Sequence, residues 1–119
     1  MTVLHRGDVW LVNLDPTIGA EIKKTRPAVI ISNDIANQCS STVTVLPVTD
    51  RGDKVYPFEV EVPKEQGGLT KPSKIKCQQV RTVDRSRLVR FLGVLSDATV
   101  HMAERALCLH LGLDPAAHE

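Results

Sequence analysis

Lys23, Lys24, Thr25 and Arg26 stand directly before Pro27 and the β-branched run Val29, Ile30 and Ile31. Proline drives the residue before it into extended backbone, which places Arg26 at the rigid start of a strand and leaves the lysines on the loop side. A guanidinium stays charged at any working pH and presents a planar fork of donors that matches phosphate oxygens. The chemistry this suits is stabilisation of negative charge developing on phosphorus, where one preorganised donor contributes about 3 kcal/mol. The same residues also allow a plainer use, an ion pair from Arg26 to Asp15 or Glu21 across the base of the loop.

Such a group needs a scaffold, and the hydrophobic pattern describes one. DVWLVNL (8–14), PAVIIS (27–32) and STVTVLPVT (41–49) are short β-rich runs. YPFEVEVP (56–63) sets Phe58, Val60 and Val62 on one face and Glu59 and Glu61 on the other, the alternation of a half-buried strand. SKIKCQQVRTV (73–83) and RLVRFLGVL (87–95) predict two further strands, with DRSR as a turn or short helix between them. After Ser96, a capping residue, Val100, Ala103, Leu107 and Leu111 recur at helical spacing, and Gly112 can end that helix. EQGGL (65–69) reads as a flexible hairpin loop, and the tail DPAAHE is expected to fray. Strands in succession followed by one helix predict a mainly β (α+β) fold, a small and strongly bent sheet or barrel.

A chain of 119 residues that is 42% hydrophobic suits one domain, residues 1–119, with a single core. Between the first two strands lie about a dozen residues, more than a hairpin needs, and loops of that length in compact domains usually carry function. The formal net charge is only +1, so the total demands no nucleic-acid partner. Its distribution is uneven: Lys71, Lys74, Lys76, Arg81, Arg85, Arg87 and Arg90 face a single acid, Asp84, within one stretch. That stripe can face phosphate or form the solvated outer face of strands. Cys39, Cys77 and Cys108 fit neither a disulfide framework nor a zinc site and read as reduced, buried thiols. The N-terminus has no leader pattern and no stretch is long and apolar enough to span a membrane, so a cytoplasmic location is expected.

Three stretches together resemble the MazF/PemK family of toxin endoribonucleases. They are RGDVWLVNLDP running into GAEIKKTRP, with Gly19, Glu21, Lys24, Arg26 and Pro27; TVTVLPVT, ending at Thr49; and QVRTVDRSRL, with Gln79, Arg81, Asp84, Arg87 and Leu88. The resemblance implies a compact SH3-like β-barrel of the PemK/CcdB type with a C-terminal helix. It implies a homodimer that binds single-stranded RNA, with mRNA as the expected target, along the dimer groove, and a cognate antitoxin that blocks the groove with an otherwise disordered segment. Arg26 and Thr49 match the family's catalytic pair. Asn33 and Gln79 match substrate-contacting positions, and Lys24 and Glu21 belong to the same motif, Lys24 being suited to backbone phosphate.

The implied reaction is attack of a 2′-hydroxyl on the neighbouring phosphorus, giving 2′,3′-cyclic phosphate and 5′-hydroxyl ends. No water need be activated, so no metal or cofactor is expected, and the sequence offers no HxE, DxD or Cys/His cluster. No histidine falls inside the three motifs, and the family points to Arg26 itself as general acid or base. Two other readings follow from related folds: a CcdB-like toxin that binds DNA gyrase, and an inactive RNA-binding relative.

Overall fold

The structure, a computed structural model, describes residues 2–114; the end of the tail, with His118, lies outside the described residues. Seven antiparallel strands are followed by a C-terminal helix: β1 (Asp8–Asn13), β2 (Thr25–Ile30), β3 (Thr42–Asp50), β4 (Glu59–Val62), β5 (Ser73–Lys76), β6 (Arg81–Asp84), β7 (Leu88–Val94) and α2 (Asp97–Leu111). A short helix, α1 (Asp34–Cys39), lies between β2 and β3. The strand order is β4-β5-β3-β2-β1-β7, and β6 also pairs with β3. The central strand β3 joins β2 through Val45–Pro47, while its other edge takes β6 along Thr42–Val45 and β5 along Val48–Asp50. That change of partner requires a corner between β5 and β6. The run expected as one strand over 73–83 is accordingly broken by a 3-10 turn at Cys77–Gln79.

Bending the sheet gives β2 and β3 two buried faces. Val29, Leu46 and Val48 join Val9, Ile75, Ala103 and Ala106 in one cluster, whereas Ala28, Ile30, Val43 and Val45 join Val12, Leu14 and Val83 in another. Side chains alternate between faces along a strand, so neighbouring residues serve different clusters. Small Ala103 and Ala106 let α2 settle against the sheet. As its cap predicts, the Ser96 Oγ accepts from the Thr99 amide (3.2 Å), and Gly112 ends the helix in the left-handed region (φ 71°). The buried face is rotated from the expected stripe: Thr99, Ala103 and Ala106 are inside, and Leu111 is exposed. Of the cysteines only Cys77 is fully buried, and burial pushes its thiol up to about 12, out of reach of thiolate chemistry.

Two other expectations change. Gly67 and Gly68 are not a flexible loop: they form a turn pressed against the β7 backbone, where a Cβ on Gly68 would stand 2.0 Å from the Leu92 carbonyl oxygen. Glu59, expected on the outer face of its strand, has only 1% of its side chain exposed. Its Oε1 accepts from Lys74 Nζ and from the Tyr56 amide, each at 3.0 Å, and its Oε2 from Gln78 Nε2 at 3.2 Å, with Lys76 Nζ 3.9 Å away. Burial alone would raise the Glu59 pKa, but these donors outweigh it and hold the carboxyl below the ordinary range.

A depressed carboxyl contributes stability above its unfolded pKa and loses it as pH falls through the lower folded value. Glu59→Gln is therefore expected to lose about 2 kcal/mol at pH 7, since the two lysines keep some water contact. The gap to wild type should close in acid. Thermal melts of both proteins from pH 7 down to pH 3 check this, and a gap independent of pH would contradict it.

Candidate active site

Residues 14–24 connect β1 to β2, and local hydrogen bonds give them a definite path. Leu14 N donates to the Lys24 carbonyl (2.9 Å), and Lys24 N donates to Asp15 Oδ1 (2.9 Å), which closes the base of the loop. Lys24 adopts a positive φ of 70°, unusual for a residue with a side chain, to turn the chain into β2. At the tip, Glu21 Oε1 accepts from the Ile18 amide (3.3 Å) and the Glu21 amide donates to the Ile18 carbonyl (3.3 Å). Glu21 is thus a turn-forming residue of the loop. Ile22 leans on the second core cluster, and its amide donates to Gln79 Oε1 (2.8 Å).

Arg26 emerges from this loop exposed. The expected alternative ion pairs are not formed: Asp15 Oδ1 takes the Lys24 amide, and no ion pair among the described residues includes Arg26. Its one hydrogen bond is long, from Nε to the Lys23 carbonyl at 3.4 Å, so the terminal guanidinium nitrogens are open to a ligand. The β2–β3 ladder runs from Ile30↔Val45 to Ala28↔Pro47. Pro27 and Pro47 have no N–H to give to a ladder. The ladder ends at that last pair, and Arg26 and Thr49 each stand two residues beyond it on their own strands. Thr49 is half-buried, and its hydroxyl makes no hydrogen bond among the described residues. Two residues far apart in sequence are thereby brought to one strand end, with a cation and a hydroxyl both unengaged.

The basic stripe separates into groups with different partners. Lys74 and Lys76 answer Glu59. Arg85 donates to the Asn37 and Thr2 carbonyls, Arg81 to the Leu14 carbonyl (3.0 Å), and Arg87 to those of Asn13 (3.2 Å) and Asp15. Lys71 and Arg90 remain without an ion pair among the described residues, and they line a cleft of about 290 Å³ with Leu11, Pro27, Asp50 and Ser73. Pro27 and Asp50 are the chain neighbours of Arg26 and Thr49, but neither Arg26 nor Thr49 lines this cleft. A larger groove of about 460 Å³ between β4 and α2, lined by Val60, Met102, Ala106 and Leu109, contains none of the expected site residues.

Three of the expected substrate contacts have partners within the fold. Asn33 lies beyond the other end of β2 from Arg26, where its Oδ1 caps α1 by accepting from the Ala36 amide (2.8 Å). Gln79 and Glu21 are engaged with the loop. Arg81 and Arg87 were visible in the sequence as charge only, because their carbonyl partners lie 67 to 74 residues away. Lys24 is on the loop flank of Arg26 with its side chain exposed.

Comparison with known proteins finds relatives over almost the whole chain. Residues 5–111 match the model of the PemK-like, MazF-like toxin of type II toxin-antitoxin systems. The chain is 40% identical over 116 residues to endoribonuclease MazF9 of Mycobacterium tuberculosis, covering 93% of this chain and 98% of that one. Its fold superposes on crystalline MazF from Deinococcus radiodurans with a TM-score of 0.82 at 28% identity, covering 95% of this chain and 100% of the other. A MazE-MazF structure from the same organism matches with a TM-score of 0.74 at 28% identity, covering 96% and 100%. The mainly β sheet, the C-terminal helix and the Arg26 loop thus belong to a chain of the PemK-like, MazF-like toxin family of type II toxin-antitoxin systems.

Proposed function

We propose that this chain is a sequence-specific endoribonuclease toxin that cleaves single-stranded RNA at a site built on Arg26 and Thr49. The carrying observation is the open guanidinium of Arg26, which stands two residues beyond the Ala28↔Pro47 pair that ends the β2–β3 ladder, with Thr49 two residues beyond it on β3. Its similarity to MazF9, named an endoribonuclease, supports RNA as the substrate. In the reaction the 2′-oxygen forms a bond to phosphorus while the bond from phosphorus to the 5′-oxygen breaks. The proton leaves the 2′-hydroxyl and one is delivered to the departing 5′-oxygen, leaving a 2′,3′-cyclic phosphate and a 5′-hydroxyl. The nucleophile is part of the substrate, so the protein's task is to stabilise the dianionic phosphorane. Arg26 supplies charge-assisted donors to it, and the Thr49 hydroxyl donates to a nonbridging oxygen. The charged guanidinium of Arg26 can deliver a proton to the departing 5′-oxygen and regain one from solvent, and solvent takes the proton of the 2′-hydroxyl. Lys24, on the flank of Arg26, holds a neighbouring backbone phosphate.

The active form is a homodimer of single-domain chains with RNA in the groove between protomers. A cognate antitoxin segment competes for that groove, as the MazE-MazF pairing of the similar Deinococcus protein supports. No described helix is long and apolar enough to cross a membrane, and the proposed place of action is the cytoplasm, where mRNA is available. Purified protein incubated with long single-stranded RNA in EDTA should yield discrete fragments, and adding the antitoxin should suppress them. Cleavage that needs a divalent ion, or that continues in the antitoxin complex, would contradict this assignment.

A further inference from the structure

Three side chains from one short stretch, Gln79, Arg81 and Arg87, converge on the β1–β2 loop. Arg87 donates to the Asn13 and Asp15 carbonyls and Arg81 to the Leu14 carbonyl, so three consecutive backbone oxygens at the loop base are each held by a guanidinium. Gln79 reaches the far arm of the same loop, its Oε1 accepting from the Ile22 amide at 2.8 Å and its Nε2 donating to the Ala20 carbonyl at 3.5 Å. We propose that Gln79, Arg81 and Arg87 are a clamp of positioning residues that fixes the Arg26 loop for catalysis. This rests on the reading of Arg26 as a catalytic residue.

The physical case is one of entropy and geometry. The loop carries Pro16, Gly19 and a tip with Ile18 largely exposed, and apart from Leu14 at its base and Ile22 it contributes little to the core. Left to itself, a segment of this kind keeps much of its conformational freedom, and each residue fixed opposes folding. Hydrogen bonds from charged donors are stronger than those between neutral groups, and Arg87 bridges two carbonyls at once. The clamp also reaches Arg26 through few links. Leu14, held by Arg81, donates its amide to Lys24, and Asp15, held by Arg87, accepts the Lys24 amide. Lys24 is two residues before Arg26 and sets the turn into β2 with its positive φ. A displacement of about 1 Å at a reacting group can lower a rate about a hundredfold, so a loosened loop should act on turnover more than on affinity.

The test compares wild type, Gln79→Ala, Gln79→Glu and Arg87→Gln as full-length proteins, by amide hydrogen exchange and by RNA cleavage kinetics across a salt series. Exchange at the Ile22 amide is expected to quicken at least tenfold in Gln79→Ala and to return towards wild type in Gln79→Glu, which keeps the acceptor. Gln79→Ala and Arg87→Gln should lower kcat about tenfold while KM and its salt dependence hold. A direct phosphate contact by Arg87 would instead raise KM and flatten the salt slope by about 0.7 in Arg87→Gln. That result, or unchanged Ile22 exchange in Gln79→Ala, would overturn the clamp. Failure of the wild type to cleave RNA would sink the catalytic reading instead, with the exchange measurement still deciding whether the clamp exists.

Discussion

Arg26→Ala should reduce RNA cleavage by a factor of about 100 to 1,000 and leave the protein folded. The size of the effect follows from the reaction. The charge that builds on the phosphorane oxygens has no bound metal in this mechanism to meet it, and Arg26 is the cation at the end of the β2–β3 ladder, where Thr49 also lies. The harmlessness to the fold follows from the surroundings. Arg26 is exposed, makes no ion pair among the described residues and has one long hydrogen bond to the Lys23 carbonyl. Loss of such a side chain is expected to change stability by no more than about 0.5 kcal/mol. Arg26→Lys should recover little activity, because an ammonium keeps the charge but lacks the planar fork. Single-turnover cleavage measured beside a thermal melt separates the two effects. A variant that cleaves normally, or one that is inactive because it no longer folds, would contradict the role given to Arg26.

Gly68→Ala is expected to have the largest effect on stability, about 4 kcal/mol, combining a left-handed backbone with a collision against backbone. A Cβ there would sit 2.0 Å from the Leu92 carbonyl oxygen and 2.6 Å from its carbon, at φ 74°. Neither side can yield cheaply, because β7 is held by its ladder to β1 and Gly93 lies against Gly67 and Gly68. Gly52→Ala provides the control. Its φ is also positive, at 64°, but a Cβ there meets nothing within 4 Å, so only the conformational strain, about 1 kcal/mol, should appear. Chemical denaturation of the three proteins gives both values directly. Equal losses in the two variants would mean that the contact with β7 contributes nothing beyond backbone strain.

Much of the scaffold was legible because it follows local rules. The Ser96 cap, the Gly112 stop and the alternation through Val43 and Val45 are short-range patterns, and each appears where its residues lie. The exposed start of β2 was legible for the same reason, since Pro27 constrains Arg26 by chain geometry alone. What was not legible depends on contacts across the fold. The helix α1 has six residues, too few to show a period, and its Asn33 cap resembles any polar loop residue. The break at Cys77–Gln79 exists because β3 changes partners, which no window around those residues records. Glu59 obeys the alternation of its strand yet is buried, because Lys74, Lys76 and Gln78 gather around it. The two glycines of EQGGL show the same limit: their sequence reads as freedom, while β7 uses them for close approach.

The candidate site divides along that line too. The Arg26 motif could be read from the chain, whereas its place at the same ladder end as Thr49 needed the β2–β3 pairing. Gln79 and Arg87 were visible as polar residues in a basic stretch, a pattern equally suited to gripping RNA. Only the distant carbonyls of residues 13 to 15 and 20 turn them towards the loop.

The most direct test of the central claim is the chemistry of the ends produced from an end-labelled single-stranded RNA by the wild-type protein in EDTA, freed of antitoxin. Attack by the 2′-hydroxyl predicts fragments bearing 2′,3′-cyclic phosphate and 5′-hydroxyl ends, and an RNA with a single 2′-deoxy substitution at the cleaved position should stay intact there. Fragments with 5′-phosphate ends, or cutting that persists at the deoxy position, would show that another nucleophile acts and that the Arg26–Thr49 mechanism is wrong.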